Sequence, residues 1–285
     1  MNSGKTENPG KLFVVATPIG NLSDITERAL ETLRAVDLIA AEDTRHSKTL
    51  LQHYGIKSPM MSLHEHNEAS QIEQLIRRLQ QGNSVALISD AGTPLISDPG
   101  SRLIAAVHEA GLQPVPVPGP SAVSCMLSVA GQPVDRFCFE GFLPSRGSAR
   151  RKRLQELVRE IRTLVFYESS HRILDSIADM KDTLGPTRSC TVGRELTKRF
   201  ETLYRGTLTD VLQRMAEDPN ASRGEFVVVI AGAEGNAEES VENGRQIMDV
   251  LLTELPVSQS ANLAARISGA RKKLLYEYGL KKKPK

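Results

Sequence analysis

From Lys11 to Val117, short apolar runs rich in β-branched residues alternate with segments whose apolar residues recur every three or four positions. Runs that are apolar at every position have both faces covered, and a helix-length connection joins strands that run parallel. The pattern therefore predicts an open, mostly parallel sheet with helices on both faces. Strands are predicted over Lys11–Thr17, Asp37–Ala41, Pro59–Leu63, Ser84–Ser89 and Gln113–Val117. Between them lies a helix capped by Ser23 or Asp24, carrying Ile25, Ala29, Leu30, Leu33 and Val36. Further helices are predicted over Ser47–Tyr54, Asn67–Gln81 and Ser101–Ala110, with Gly55 and Gly82 as stops for the first two of these.

Val117-Pro-Gly-Pro-Ser121 interrupts any regular element and reads as a hinge. The alternation then restarts, with helices over Pro120–Ala130, Arg146–Arg162, Ile173–Leu184 and Leu208–Glu217. The strands of this half are predicted at Phe137–Gly141, Thr163–Tyr167, Ser189–Arg194, Glu201–Arg205 and Glu225–Ala231. It shows no sequence repeat of the first half. The expected organisation is an α/β domain over 11–118 and a second, different α/β domain over 119–233. An acidic linker at 234–244 and a small basic helical tail at 245–285 follow.

Net charge is only +2, so a polyanionic partner must be met by local patches. Three cysteines without a C-x-x-C pair support neither a disulfide framework nor a zinc knuckle. His64 and His66 stand at i, i+2 with no third ligand apparent, and no metal is expected. The apolar runs are too short for a membrane span, and Met1–Gly10 resembles no signal peptide. A reduced, cytoplasmic protein is the expectation.

Three loops follow the first, fourth and fifth strands: Thr17–Leu22, Ser89–Gly100 (SDAGTPLISDPG) and Pro118–Ala122. In an open parallel sheet such loops stand where ligands bind. Neither G-x-x-x-x-G-K-[ST] nor G-x-G-x-x-G is present, which argues against a nucleoside triphosphate or a dinucleotide. Gly20, Gly92 and Gly119 allow close backbone approach, Asp90 accepts from an ammonium or hydroxyl, and Thr93 and Ser121 offer hydroxyls. A ligand with an adenosine, a carboxylate and its own cation, but no phosphate, suits this set, and S-adenosylmethionine has that makeup. Ordinary βα turns use the same residue types.

TPIGNLSDIT, AEDTR, LHEHN, SDAGTPLISDPG, VPGPSA and FYESSHR occur in this order between Lys11 and Leu280. In these motifs the chain resembles the tetrapyrrole-methylase-like (class III) methyltransferases. Within that class it is most similar to those acting on a cytidine ribose, position 1402, of 16S rRNA. The resemblance implies two α/β domains with S-adenosylmethionine in the cleft between them, a homodimer, and 16S rRNA or the 30S subunit as partner. Carried over by position, it implies donor contacts from Pro18 and Gly20, from Asp90, Ala91, Gly92, Thr93 and Pro94, from Ser121 and Ala122, and from Tyr167.

Two clusters combine carboxylate, arginine and imidazole within five residues: Glu42–His46 and Glu168–Arg172. Asp43, Arg45, Glu168, His171 and Arg172 are the candidates for base and phosphate clamp. Helix capping and salt bridging are the competing explanations. Glu195 and Lys198 could touch substrate or simply pair.

Arg146, Arg150, Arg151, Lys152 and Arg153 open a segment dense in cations that is expected to hold RNA phosphates. Arg271, Lys272 and Lys273 follow Gly269 in a helix-turn-helix-like spacing that an αα-hairpin also explains. A small-molecule tetrapyrrole methylase and a non-catalytic RNA-binding module are the alternatives. The basic segments argue against the first of these.

Overall fold

The computed structural model describes residues 9–64, 67–233 and 237–282. His66, residues 234–236 of the expected linker, and the last three residues lie outside the described part. The chain forms two compact units. The first contains the described residues up to Val158 and Thr163–Ala231; the second contains Arg159–Arg162 and the chain from Gly232.

The first unit holds two five-stranded sheets. In one, β1 (Leu12–Val15), β2 (Leu38–Ala41), β3 (Met60–Ser62), β4 (Val85–Ile88) and β5 (Pro114–Val117) run parallel in the order β3-β2-β4-β1-β5. The central strands β2 and β4 are buried at every position, as their uniformly apolar sequences require. Helices α1 (Glu27–Ala35) and α2 (Thr44–His53) cover one face through Ala29, Leu33 and Leu51. Helices α3 (Glu68–Gln80) and α4 (Ser101–Glu109) cover the other through Leu75, Leu79, Leu103 and Val107.

Two expected helix starts move. The α1 cap is Thr26, whose hydroxyl accepts from the Ala29 amide at 3.2 Å, while Ser23 and Asp24 belong to a short 3₁₀ turn capped by Asn21. Helix α2 begins at Thr44 rather than Ser47, because the Asp43 carboxylate accepts from the Arg45 amide at 2.8 Å.

The second sheet is mixed. β6 (Phe137–Phe142), β7 (Thr163–Ser169), β8 (Ser189–Arg194), β9 (Thr202–Thr207) and β10 (Glu225–Ile230) lie in the order β6-β7-β10-β8-β9. Only β6 and β7 pair in parallel. Helices α6 (Gly147–Glu156), α7 (Ile173–Leu184) and α8 (Leu208–Glu217) pack Leu154, Ile177 and Val211 against Phe166, Val192 and Val228 on one face. Helix α5 (Ala122–Ala130) covers the other through Val123 and Met126, against Val165, Val227 and Val229. Ile19 and Ile96, from loops of the first sheet, pack into this same cluster. Both sheets thus share one compact unit, and the division expected near residue 118 separates sheets rather than separately packed bodies.

The basic helix expected to reach Arg162 ends at Glu156. Its Arg150 is a structural residue, with a side chain 6% exposed and paired to Asp179.

In the second unit, α9 (Ala237–Leu251), α10 (Val257–Ser268) and α11 (Lys272–Lys282) close over Met248, Ala261, Ala264, Ala270 and Leu275. Helix α9 starts inside the segment expected to be a linker. Gly244, read there as a linker glycine, is helical, and a Cβ on it would stand 2.8 Å from Leu275 Cδ2 and from Ser268 Oγ. The glycine is needed for close helix approach. Gly269, at φ 75°, ends α10 as expected. Among the described residues no helix is long and apolar enough to cross a membrane.

Candidate functional site: a cavity at the strand ends

The chain leaves β1 toward β2, and leaves β4 in the opposite direction toward β5. Each connection passes over the other strand, α1 on one face and α4 on the opposite one. Adjacent parallel strands whose connections leave to opposite faces open a crevice at their carboxyl ends. Two loops meet there. The Thr17 and Gly92 backbones exchange hydrogen bonds of 2.9 and 3.0 Å, and the Thr17 hydroxyl donates to the Ser89 carbonyl at 3.2 Å. The third loop is tied in by Thr93, whose hydroxyl donates to the Pro120 carbonyl at 3.0 Å. Gly92 adopts φ 81°, and the non-glycine residues Leu95 and Ser97 are held at φ 73° and 69°. Such conformations persist only where surrounding bonds impose them, and they cluster at ligand sites.

These loops form one wall of a cavity of about 530 Å³, within the usual range for a cofactor site. Ile19, Glu42, Asp90, Ala91, Gly92, Thr93, Ile96, Ser97, Asp98, Ser121 and Ala122 make that wall. The second sheet supplies the other, from Phe142, Tyr167 to His171, Leu196, Lys198 and Gly224 to Val227.

Three carboxylates of the first wall face the space: Glu42, Asp90 and Asp98. Burial, then the charges of Asp98 and Asp90, raise the Glu42 pKa. Burial also raises that of Asp98, to which the charge of Asp90 adds. Tyr167 is pushed up to about 12, first by burial and then by Asp98. The cation on the wall, Lys198, lies 2.9 Å from Glu195 and 2.8 Å from Glu225. Burial works against its charge, yet these bonds leave its pKa above the ordinary lysine value. The cavity therefore offers negative potential, apolar side chains and backbone groups. That chemistry fits a cationic, phosphate-free adenosyl ligand such as S-adenosylmethionine and would repel a triphosphate.

Of the residues expected to contact the donor, Asp90, Ala91, Gly92, Thr93, Ser121, Ala122 and Tyr167 line the cavity. Pro18, Gly20 and Pro94 stand in the same loops but do not line it; Ile19 does. A Cβ on Gly20 would fall 2.3 Å from Lys198 Cγ, so this glycine makes room for a side chain from the opposite wall.

The two expected catalytic clusters separate. Glu168 and His171 line the cavity, whereas Asp43 and Arg45 do not. The Asp43 carboxyl is held down at about 2 by the Arg45 guanidinium and amide, which makes it a poor base, and the Arg45 side chain is 90% exposed. Its neighbour Glu42 points into the cavity instead. Buried Glu168 accepts from the Ser169 amide at 2.8 Å, the Ser176 hydroxyl at 2.6 Å and Arg172 at 2.7 Å. That engagement makes the Glu168–Arg172 pair a brace, and it leaves His171 exposed at the rim.

Within the Glu42–His46 cluster sequence reasoning singled out Asp43 and Arg45 rather than Glu42, and it missed Asp98 and Phe142. Asp98 was within sight, being the second aspartate of SDAGTPLISDPG. Phe142 gave no signal, because its position depends on a strand irregularity.

Of the expected phosphate contacts on α6 and at its start, Arg146, Arg151 and Lys152 are exposed, Arg151 also reaching Asp179 at 3.1 Å. Arg150 is buried, and Arg153 is engaged by Glu140 and Glu156 at 2.6 Å each. Arg271, Lys272 and Lys273 are exposed at the start of α11.

Residues 11–212 match the family of Tetrapyrrole (Corrin/Porphyrin) Methylases, and 237–283 match the RsmI C-terminal HTH domain. A ribosomal RNA small subunit methyltransferase I from Pseudomonas aeruginosa is 52% identical over 97% of this chain and 99% of its own. One from Escherichia coli O157:H7 is 49% identical over 95% of each. Among solved structures, a cobalt precorrin-4 methyltransferase superposes with a TM-score of 0.59 at 16% identity, covering 78% of this chain and 94% of that one. A uroporphyrin-III-C-methyltransferase from Thermus thermophilus gives 0.52 at 17%, covering 78% and 92%. These two carry the fold alone. With its fold, its cavity and close relatives along nearly its whole length, the chain belongs to the tetrapyrrole methylase family of S-adenosylmethionine-dependent methyltransferases, in the branch of the ribosomal RNA small subunit methyltransferase I proteins.

Proposed function

We propose that the protein methylates the 2′-hydroxyl of a cytidine ribose in 16S rRNA of the small ribosomal subunit. The carrying observation is the near full-length similarity to proteins named for that RNA, tail included, combined with a cavity that repels phosphate and cations that lie outside it. The bound donor supplies a methyl group already activated on a sulfonium. Asp90 and Asp98 present negative charge to such a cation, while Gly92 and Ala91 bring backbone to its polar groups. Ile19, Ile96 and Leu196 exclude water from the apolar part. His171, at the rim, accepts the ribose hydroxyl proton, and the Glu168–Arg172 brace fixes the loop that carries it. Arg146, Arg151, Lys152, Arg271, Lys272 and Lys273 take phosphates outside the cavity.

A homodimer fits the apolar side chains left exposed at the second sheet's β9 edge, Leu203 and nearby Phe200. A ribosomal substrate would place the enzyme in the cytoplasm. The test is transfer of labelled methyl to small subunits from a strain lacking this gene, with nuclease mapping of the product. A 2′-O-methyl on that cytidine is expected. Transfer only to tetrapyrrole precursors, or none, overturns the reading.

A further inference from the structure

Strand β6 carries an irregularity with a consequence for the cavity. Phe139 stands opposite Val165 of β7, but Gly141 is opposite Phe166 and Phe142 opposite Tyr167. In an uninterrupted strand, residues three apart face opposite sides. The extra residue, Glu140, returns Phe142 to the face already occupied by Phe139. Gly141 takes φ 64° to allow the bulge, and Glu140 is held by Arg153 at 2.6 Å. Both phenylalanine rings then meet Tyr167 edge-on, with centroids 4.9 and 5.6 Å away.

The two rings differ in their surroundings. Phe139 packs against the α5 cluster; Phe142 lines the cavity and remains 54% exposed. The next residue is fixed as well, since Arg172 of the Glu168 brace reaches the Leu143 carbonyl at 3.4 Å. A bulge, an aromatic contact and a buried ion pair thus hold an apolar ring in the mouth of the cavity. None of the steps assigned above uses it.

We infer that Phe142 is the platform on which the base of the acceptor nucleotide stacks while its ribose enters the cavity. This rests on the RNA reading of the site and specifies its substrate as an unpaired or extruded nucleotide. A ribose locked within a duplex cannot bring its base against a ring at a cavity mouth. A few residues beyond Phe142, α6 and its start expose Arg146, Arg151 and Lys152. An aromatic face beside a cationic track is the combination by which proteins hold single strands, the ring taking the base and the cations the backbone. Those cations also disfavour a second copy of the same surface as the occupant.

The experiment compares Phe142→Ala, Phe142→Tyr and Phe142→Trp with the parent in methyl transfer to unmethylated small subunits. Donor affinity by calorimetry, melting temperature and sedimentation are measured alongside. Phe142→Ala is expected to lower kcat/KM by about ten- to a hundred-fold, the range of one lost base–aromatic stack. The Tyr and Trp variants should restore it to within a few-fold, with donor affinity, melting and mass unchanged. A silent Ala variant, no aromatic rescue, a parallel loss of donor affinity or a change of oligomeric state each overturns the inference. An inactive parent enzyme would instead overturn the proposed function.

Discussion

Arg150 Nε donates to Asp179 Oδ2 at 2.7 Å, joining α6 to α7 through side chains that are almost wholly withdrawn from water. Five consecutive-looking cations of one segment therefore do different work. Arg151 Nη1 also reaches Asp179, at 3.1 Å from a largely exposed side chain. Removing Arg150 therefore leaves the carboxylate one partner and costs about 3 kcal/mol, the low end for a broken buried pair. Arg150→Ala is expected to lose about that much in urea unfolding. Replacing Arg151 and Lys152 should leave stability within about 1 kcal/mol, yet weaken RNA binding and flatten its salt slope by about one unit per lost contact.

Gly20, in a loop of the first wall, packs directly against the stem of Lys198 from the second. A methyl group on Gly20 displaces the lysine stem and pulls its ammonium from Glu195 and Glu225. Gly20→Ala should weaken donor binding, and should do so far less in a Lys198→Ala background. A double-mutant cycle on donor affinity is expected to show coupling of about 0.5–3 kcal/mol; additive effects would separate the two residues.

Asp98 holds its proton more tightly in the folded chain than an aspartate in water. The folded state therefore binds more protons around that group, and stability falls as pH rises from the ordinary aspartate value through the raised one. Asp98→Asn removes the ionisation. It should raise the melting temperature at neutral pH, and the advantage should fade as pH is lowered below about 4.

Glu168 and His171 lie three residues apart and should separate cleanly. Glu168→Ala deprives Arg172, Ser176 and the Ser169 amide of their acceptor and is expected to cost about 3–5 kcal/mol of stability. His171→Asn should leave melting and donor affinity intact while slowing methyl transfer by about a hundred-fold or more. A base at Glu168 would give the reverse pattern.

The strand–helix alternation was legible because β2 and β4 are buried on both faces, which writes itself into unbroken apolar runs. The place of Asp90 and Gly92 at the cavity was legible because loops after parallel strands gather at the sheet's carboxyl edge, where open α/β sheets hold ligands. What escaped notice depends on folded geometry that residue type does not reveal. Arg150 looks like its neighbours until Asp179, twenty-nine residues on, withdraws it from solvent. Asp43 resembles a base until a helix uses it as a cap, and Phe142 resembles any strand residue until one extra residue turns it. The acidic segment before Arg245 looked like a linker because its helix relies on packing against α10 and α11.

The reciprocal bonds between Thr17 and Gly92 carry a consequence for how such sequences diverge. Lengthening either loop by one residue would misplace the other, so the first and fourth turns must change in concert or not at all. The turn at Gly55, where an added side chain meets nothing within 4 Å, is free of that restraint. Insertions accumulated over a lineage should collect there and leave the crossing of β1 and β4 at constant length.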